Sequence, residues 1–158
     1  MNLAAASAEE MRALGARLAA ALRAATPKEA LLIGLSGDLG AGKTTLVSGF
    51  LAALGHDGAV RSPTYTLIEP YRLAGRDVYH CDLYRLRDPA ELDELGLRDL
   101  AVDGSVLLIE WPERAGDRLG RPDLALQLGY SDAGRSVAIE AVTGPGRLVA
   151  RGAGLDQA

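Results

Sequence analysis

Residues 37–44 read Gly-Asp-Leu-Gly-Ala-Gly-Lys-Thr, which matches the Walker A pattern of a phosphate-binding loop. Its glycines let successive backbone N–H groups turn toward one anion. In such a loop Lys43 reaches the β- and γ-phosphates of a nucleotide, and the Thr44 hydroxyl ligates Mg²⁺. The alternative is a glycine-rich turn that binds nothing, but such a match arises by chance in fewer than about one in a hundred chains of this length.

The residues on either side of the loop have the pattern that this motif requires. Residues 31–35 form a short apolar run that is typical of a buried strand. Residues 43–54 place apolar side chains at helical spacing, and Gly55 follows as a C-terminal cap. The sequence therefore predicts a strand, a phosphate loop and a helix in succession.

The rest of the chain predicts further elements around this unit. They are a helix from the capping box at Ser7 to about Ala25, a hairpin of 65–71 with 78–84, a helix from Asp88 to about Gly96, a buried strand 106–109 that ends on Glu110, and a hairpin of 124–130 with 136–142. These elements predict a three-layer α/β P-loop NTPase fold with a mostly parallel sheet and an antiparallel C-terminal hairpin. We expect a single domain over residues 1–158, with about 146–158 as a frayed, glycine-rich tail.

Composition excludes several classes of protein. The net charge of −4 argues against unaided binding to nucleic acid, so any contact with RNA is expected through a partner. The only cysteine, Cys81, rules out an intramolecular disulfide and a thiolate zinc cluster. Apolar stretches are too short for a membrane helix, and the N-terminus lacks the apolar centre of a signal peptide. We expect a cytoplasmic protein.

A phosphate loop needs an acidic group near the metal, usually at the end of a neighbouring buried strand. Glu110, which ends the run Val-Leu-Leu-Ile-Glu, is the first candidate. The alternative for Glu110 is a surface residue at a strand end. Asp82 is the second candidate, and it alternates with His80 and Tyr84 onto one face of a strand. The alternative there is a solvated strand face.

Three further positions leave two interpretations open. His80 is either a proton shuttle or a structural hydrogen-bonding residue. The segment 62–66, Ser-Pro-Thr-Tyr-Thr, is either a loop that senses the γ-phosphate through a threonine hydroxyl or a polar turn before a strand. Trp111 either shapes the pocket beside Glu110 or only packs there.

Five blocks of sequence together resemble the TsaE family, also called YjeE. They are GDLGAGKTT at 37–45, SPTYTLIEPY at 62–71, YHCDLYRL at 79–86, ELGLRD at 94–99 and IEWPER at 109–114. The resemblance covers roughly residues 7–145. It implies an ATPase, weak alone, that acts with the TsaB and TsaD proteins to form threonylcarbamoyladenosine at position 37 of tRNAs that read codons beginning with A. Contact with tRNA is then indirect.

The resemblance also implies roles for individual residues. Asp82, Glu110 and Trp111 have roles in hydrolysis or coupling, and Thr44 with Glu110 binds Mg²⁺. Thr64 is a switch residue. The ATP-binding residues that it implies are Asp38, Leu39, Gly40, Ala41, Gly42, Lys43, Thr44, Thr45, Thr64 and Trp111. Many relatives carry a Thr or Glu near the adenine, where residues 7–11 of this chain align only loosely, so the adenine contacts stay open.

Two rival functions remain at this point. A small-molecule P-loop kinase would need an arginine-bearing lid, for which the segment 114–121 is the candidate. A nucleotide-dependent binding module would have little turnover. Stimulation of ATP hydrolysis by protein partners separates both from the preferred function.

Overall fold

The computed structural model describes residues 1–156 as an α/β fold built on one mixed sheet of seven strands. The strands are β1 (Asn2–Ala5), β2 (Leu31–Ser36), β3 (Ile68–Leu73), β4 (Arg76–Asp82), β5 (Val106–Glu110), β6 (Leu124–Ser131) and β7 (Gly134–Ala141). Their order across the sheet is β1-β7-β6-β2-β5-β4-β3. Both predicted hairpins are present, as β3 with β4 and as β6 with β7.

The expectation of a mostly parallel sheet was wrong. Three strand pairs are parallel, namely β2 with β5, β2 with β6 and β4 with β5. Three are antiparallel, namely β1 with β7, β3 with β4 and β6 with β7. The parallel strands form the centre, where helices cover both faces, and the antiparallel strands extend the two edges. Strand β1 was not predicted, because four residues carry too little periodicity to be recognised.

Helices lie on both faces of the sheet. They are α1 (Ala8–Ala25), α2 (Lys43–Ala53), α3 (Glu91–Leu95) and α4 (Gly144–Gly152), and two 3₁₀ segments span Leu97–Leu100 and Pro112–Arg118. Helices α1, α2 and α4 share one core with Val106 and Leu108. Helix α3 and the 3₁₀ segments share a second core with Leu107 and Ile109. Since successive residues of β5 point to opposite faces, the two cores lie on opposite sides of the sheet.

Helix α1 begins as its capping box predicts. The Ser7 Oγ accepts a hydrogen bond from the Glu10 amide at 3.1 Å. Helix α1 packs closely on α2 at two glycines: a Cβ atom on Gly15 would lie 2.1 Å from the Leu46 carbonyl oxygen, and one on Gly49 would lie 2.0 Å from the Arg12 carbonyl oxygen. No helix within residues 1–156 is both long and apolar enough to cross a membrane.

The predicted frayed tail was also wrong over the residues that the structure describes. Helix α4 is capped by Thr143, whose Oγ1 accepts from the Gly146 amide at 3.3 Å, and Val149 and Leu155 are buried in the first core. The glycines that suggested fraying have a packing role: a Cβ atom on Gly146 would lie 1.9 Å from the Asp123 carbonyl oxygen. Residues 157–158 lie outside the described part of the chain.

Candidate nucleotide-binding site

Parallel pairing brings the loop and both acidic candidates to one edge of the sheet. Leu35 of β2 lies opposite Glu110 of β5, and Glu110 lies opposite Asp82 of β4. All three residues end, or nearly end, their strands. The loop 37–42 leaves β2 at the same edge and leads into α2. This is the edge at which open α/β sheets bind ligands.

The loop needs glycine at several positions. Gly37, Gly40 and Gly42 have φ angles of 145°, 77° and 108°, in the region that other residues rarely adopt. A Cβ atom on Gly37 would also lie 2.4 Å from the Leu128 carbonyl oxygen. No side chain caps the start of α2, and its first turn contains no acidic residue. The amide donors of that turn are therefore available to an anion.

A hollow of about 350 Å³ opens between this loop and the ends of β4 and β5. Eight of the ten implied ATP-binding positions line it, and Trp111 is one of the eight. The lining residues are Leu39, Gly40, Gly42, Lys43, Thr44, Thr45, Ser62, Thr64, Asp82, Tyr84, Arg85, Glu110 and Trp111. Asp38 and Ala41 do not line it; Ala41 is buried, and its amide donates to the Asp38 carbonyl at 3.1 Å.

Lys43 is buried, with 5% of its surface exposed. Its ammonium group donates to the carbonyl oxygens of Gly37 and Asp38, the latter at 2.9 Å. Burial lowers the pKa of Lys43, while the nearby carboxylates of Glu110 and Asp82 act in the opposite direction. The Lys43 ammonium group thus bonds two carbonyl oxygens of the loop, and the phosphate oxygens of a nucleotide could replace these two partners.

Glu110 is not a surface residue, because only 3% of it is exposed. Both carboxylate oxygens lie 3.0 Å from the Thr44 Oγ1. Its Oε2 also lies 2.6 Å from Nε2 of His80, which is fully buried. Buried carboxylates need such partners, so the surface interpretation of Glu110 was wrong, and His80 has the hydrogen-bonding role that was one of its two interpretations.

Asp82 is also buried, at 7% exposure. Its carboxylate accepts hydrogen bonds from the Ser62 hydroxyl and, at 3.0 Å, from the Tyr84 amide. The alternative of a solvated strand face was therefore wrong for His80 and Asp82, although Tyr84 is 37% exposed. Asp82 lies next to the hollow and is fixed from two sides.

Trp111 follows Glu110 in an unusual backbone conformation, with φ 58° and ψ 50°. This conformation is uncommon for a bulky residue, and the Trp111 amide donates to the Leu35 carbonyl at 3.1 Å. The indole ring lies beside the Tyr84 ring, 5.0 Å between centroids. The Lys43 ammonium lies 4.3 Å from the indole centroid on the side of the hollow. Trp111 thus belongs to the wall of the hollow.

The segment 62–66 forms a turn that leads into β3. Thr64 lines the hollow, and its hydroxyl donates to the Ser62 carbonyl at 3.2 Å. Tyr65 projects outward with 85% of its surface exposed. Because Ser62 contacts Asp82, this segment is joined directly to the acidic side of the hollow.

Two residues of the C-terminal hairpin support the loop and were not found from the sequence. The Tyr130 hydroxyl donates to the Leu39 carbonyl at 3.0 Å, and the Arg135 guanidinium donates to the Gly40 carbonyl at 3.1 Å. These contacts join residues more than 90 positions apart. No local pattern around Tyr130 or Arg135 indicates them.

The oxygen donors in the hollow suit Mg²⁺, which prefers hydroxyl, carboxylate and phosphate oxygens. Thr44 and Glu110 supply a hydroxyl and a carboxylate in contact, and Asp82 supplies a second carboxylate. Within residues 1–156 no group of three or more His, Cys, Asp or Glu side chains could hold a metal alone. The donors therefore fit a metal that arrives with phosphate oxygens.

Comparison with known proteins identifies the family. The family model "Threonylcarbamoyl adenosine biosynthesis protein TsaE" matches residues 5–137. The chain belongs to the TsaE family. A TsaE protein of Haemophilus influenzae is 44% identical over 139 residues, which cover 88% of each chain. One from Bacillus subtilis is 40% identical over 115 residues, 73% of this chain and 70% of the relative.

A solved structure agrees with this assignment. The crystal structure of Bacillus subtilis YdiB superposes with a TM-score of 0.69 at 28% sequence identity. The match covers 98% of this chain and 92% of YdiB. The TsaE family model ends at residue 137, whereas the structural match continues through most of β7 and α4.

Proposed function

We propose that this TsaE-family protein is a P-loop ATPase that binds ATP with Mg²⁺ and acts in the formation of threonylcarbamoyladenosine on tRNA. The observation that carries the proposal is the contact between Thr44 and Glu110 beneath the glycine-rich loop. It combines the hydroxyl and the buried carboxylate that nucleotide hydrolysis by a P-loop protein requires. Family membership supports the tRNA-modification role.

Each residue of the hollow has a task in this proposal. The amides of the loop and of the first turn of α2 bind phosphate oxygens, and Lys43 exchanges its carbonyl partners for the β- and γ-phosphates. Thr44 and Glu110 hold Mg²⁺, which when bound neutralises charge on the phosphate oxygens. Asp82, fixed by Ser62 and the Tyr84 amide, orients the attacking water together with Glu110.

A second, smaller hollow suits the adenosine end of the nucleotide. It has a volume of about 180 Å³ and joins the start of α1 to the phosphate loop. Its lining residues are Ala6, Ser7, Ala8, Met11, Gly40, Gly42, Thr45 and Arg135. Three of them also line the phosphate hollow, so one ligand can reach both. Met11 and the two alanines supply the apolar surface that a flat base needs.

The partners in this proposal are the TsaB and TsaD proteins, and tRNA is reached only through them. A TsaE-family role in tRNA modification fits a cytoplasmic protein. The segment 62–66 is the candidate for nucleotide-dependent contact with the partners, because Thr64 faces the hollow while Tyr65 is exposed beside it. Exposed tyrosines are common anchors in protein interfaces.

The experiment that tests the function is an ATPase assay of the protein alone and with TsaB and TsaD from the same organism. We expect slow turnover alone and clear stimulation by the pair. A kinase would require a small-molecule acceptor instead. The segment 114–121, the candidate for an arginine-bearing lid, contains Arg118, and this arginine already forms an ion pair with Asp93. A binding module would show no stimulation.

Variants of Glu110 and Asp82 test whether the hollow is the site of the ATP hydrolysis that this assay measures. Glu110→Ala and Asp82→Ala should lower hydrolysis more than nucleotide affinity, because the loop contacts persist while metal placement or water orientation is lost. Glu140→Ala, which removes an exposed carboxylate of β7, is the control. If Glu110→Ala leaves turnover within about twofold of the wild type, as the neutral control should, the hydrolytic site is misassigned.

A further inference from the structure

The buried pair of His80 and Glu110 has an unbalanced set of hydrogen bonds. The His80 ring is fully buried, and its Nε2 lies 2.6 Å from Oε2 of Glu110. The other ring nitrogen, Nδ1, has no hydrogen-bond partner among the side chains and backbone of residues 1–156. A buried polar atom without a partner destabilises a fold because its hydration is lost and not replaced. An apolar side chain would avoid this cost at position 80.

The direction of the hydrogen bond follows from the partners of Glu110. An ionised carboxylate only accepts hydrogen bonds, and both of its oxygens already accept from the Thr44 hydroxyl at 3.0 Å. His80 must therefore donate its Nε2–H to Oε2. Oε2 then has two donors, and Oε1 has only the shared Thr44 hydroxyl. Oε1 is the oxygen with capacity left for another ligand.

The strand register explains why position 80 can reach this carboxylate. Glu110 lies opposite Asp82 on the neighbouring strand, and His80 lies opposite Leu108. His80 and Glu110 are therefore diagonal neighbours on the same face of the sheet, close enough for long side chains to meet. Val78 and Leu108, which share that face, are buried in the core under α1 and α2.

We infer that His80 is a positioning residue that holds Glu110 by Oε2, so that Glu110 offers only Oε1 to the metal bound with the nucleotide. This inference rests on the proposed ATPase function. A carboxylate held in this way binds a metal through one oxygen, which suits the octahedral geometry of Mg²⁺. Ca²⁺ takes more oxygen ligands in a more flexible geometry and also binds carboxylates through both oxygens, an arrangement that the His80 hydrogen bond disfavours. His80 thus selects Mg²⁺ over Ca²⁺ without touching either ion.

Three variants separate this role from simple packing. His80→Leu removes the donor but keeps an apolar group of similar size. His80→Gln keeps an N–H donor near the position of Nε2. Cys81→Ala is the matched control, because Cys81 is equally buried on the opposite face of the same strand and belongs to the second core. It removes buried volume without contacting Glu110.

The measurement is calorimetric titration of each variant with a non-hydrolysable ATP analogue over a series of Mg²⁺ and Ca²⁺ concentrations. In His80→Leu we expect the Mg²⁺ concentration for half-maximal binding to rise about tenfold. Loss of a residue that hydrogen-bonds to a metal ligand typically lowers metal affinity by at least this factor. The preference for Mg²⁺ over Ca²⁺ should fall as well. His80→Gln should restore most of both properties, and Cys81→Ala should resemble the wild type.

The outcomes distinguish this inference from the function on which it rests. If the wild type binds no nucleotide, or binds it independently of Mg²⁺, both proposals are overturned. If the wild type depends on Mg²⁺ and His80→Leu shows the same dependence and the same metal preference, only the role of His80 is overturned. Equal shifts in His80→Leu, His80→Gln and Cys81→Ala would mean that loss of stability alone is responsible, which also overturns it.

Discussion

The Lys43 ammonium group lies 4.3 Å from the centroid of the Trp111 ring. A cation over an indole face is attracted by the ring, and here the same cation is the one expected to bind phosphate. The contact joins the phosphate loop to the residue that follows Glu110. Any ligand that draws Lys43 toward itself changes the surroundings of the only tryptophan in the chain.

The first prediction uses this contact. Titration with ADP and Mg²⁺ should change the fluorescence emission of Trp111, because Lys43 moves from the ring to the phosphates. The titration is compared with calorimetry under the same conditions. Unchanged emission while calorimetry reports binding would mean that the phosphates bind away from the Trp111 side of the hollow.

The second prediction concerns Lys43 itself. Lys43→Ala and Lys43→Met should severely weaken ATP binding or turnover, because they remove the cation that faces the β- and γ-phosphates. Lys28→Met is the matched control, since Lys28 is the only other lysine and is exposed. A folded Lys43→Ala protein with unchanged affinity and hydrolysis would contradict the phosphate-loop assignment.

Lys43 also has a predictable effect on stability. Burial lowers its pKa below 10.5 in the folded protein, so the unfolded chain keeps this proton to a higher pH than the folded one. The contribution of Lys43 to the free energy of unfolding therefore rises with pH up to the unfolded pKa. Urea denaturation should show that the difference in free energy of unfolding between wild type and Lys43→Met changes in favour of the wild type as the pH is raised toward the unfolded pKa of 10.5. A constant difference would mean that the pKa is not lowered.

The local motif predicted the phosphate loop, but contacts between distant residues decide what surrounds it. The strand, loop and helix around Lys43 follow from a continuous pattern, and an apolar run that ends in an acid indicated Glu110. The buried carboxylate of Asp82 accepts a hydrogen bond from Ser62, 20 residues away, and the Leu39 carbonyl of the loop accepts one from Tyr130, 91 residues away. Such pairs arise where a loop packs against a distant strand, and periodicity within one segment carries no information on that packing.

The structural role of glycine was the hardest feature to predict from the sequence. In the phosphate loop glycine was expected to let backbone N–H groups turn toward one anion, and its positive φ angles agree with that use. At Gly146 and at the crossing of α1 with α2, glycine instead allows backbone to approach backbone, and composition cannot distinguish that use from flexibility. The frayed tail was predicted for this reason.

The fourth prediction tests that crossing. Gly15→Ala should reduce the free energy of unfolding by about 3 kcal/mol or more, the upper end for overpacking, because its Cβ meets a backbone oxygen that cannot rotate away. Gly129→Ala is the control, since its Cβ would meet only the Ser136 Oγ at 3.2 Å, and a serine side chain can turn. Urea denaturation measures both. Equal stability of the two variants would contradict the close packing of α1 on α2.

The last prediction is that the isolated protein binds tRNA poorly and reaches it through TsaB and TsaD. The chain has a net charge of −4, but the fold gathers Arg85, Arg87 and Arg114 around a hollow of about 420 Å³ beside the nucleotide site. None of the three forms an ion pair within the described part of the chain. They are candidates for contact with phosphates of RNA.

Three arginines are too few for tight binding. Each phosphate contact contributes less than about one unit to the slope of log K against log salt, and proteins that bind nucleic acid strongly make about 6–10 such contacts. A gel shift at physiological salt should therefore show little binding to tRNA by the isolated protein. Arg87→Glu with Arg114→Glu should remove what remains, and Arg121→Glu, an exposed arginine outside this hollow, should not.

The partner arm of the same experiment is a pull-down of TsaB and TsaD by apo, ADP-bound and ATP-analogue-bound protein. We expect capture to depend on the nucleotide, because the segment 62–66 contacts Asp82 through Ser62 while its Tyr65 is exposed. Ordering of this segment around a γ-phosphate changes the surface offered to a partner. Tight binding of tRNA by the protein alone, without nucleotide-dependent capture of the pair, would refute recruitment through partners and make RNA itself the ligand of the arginine hollow.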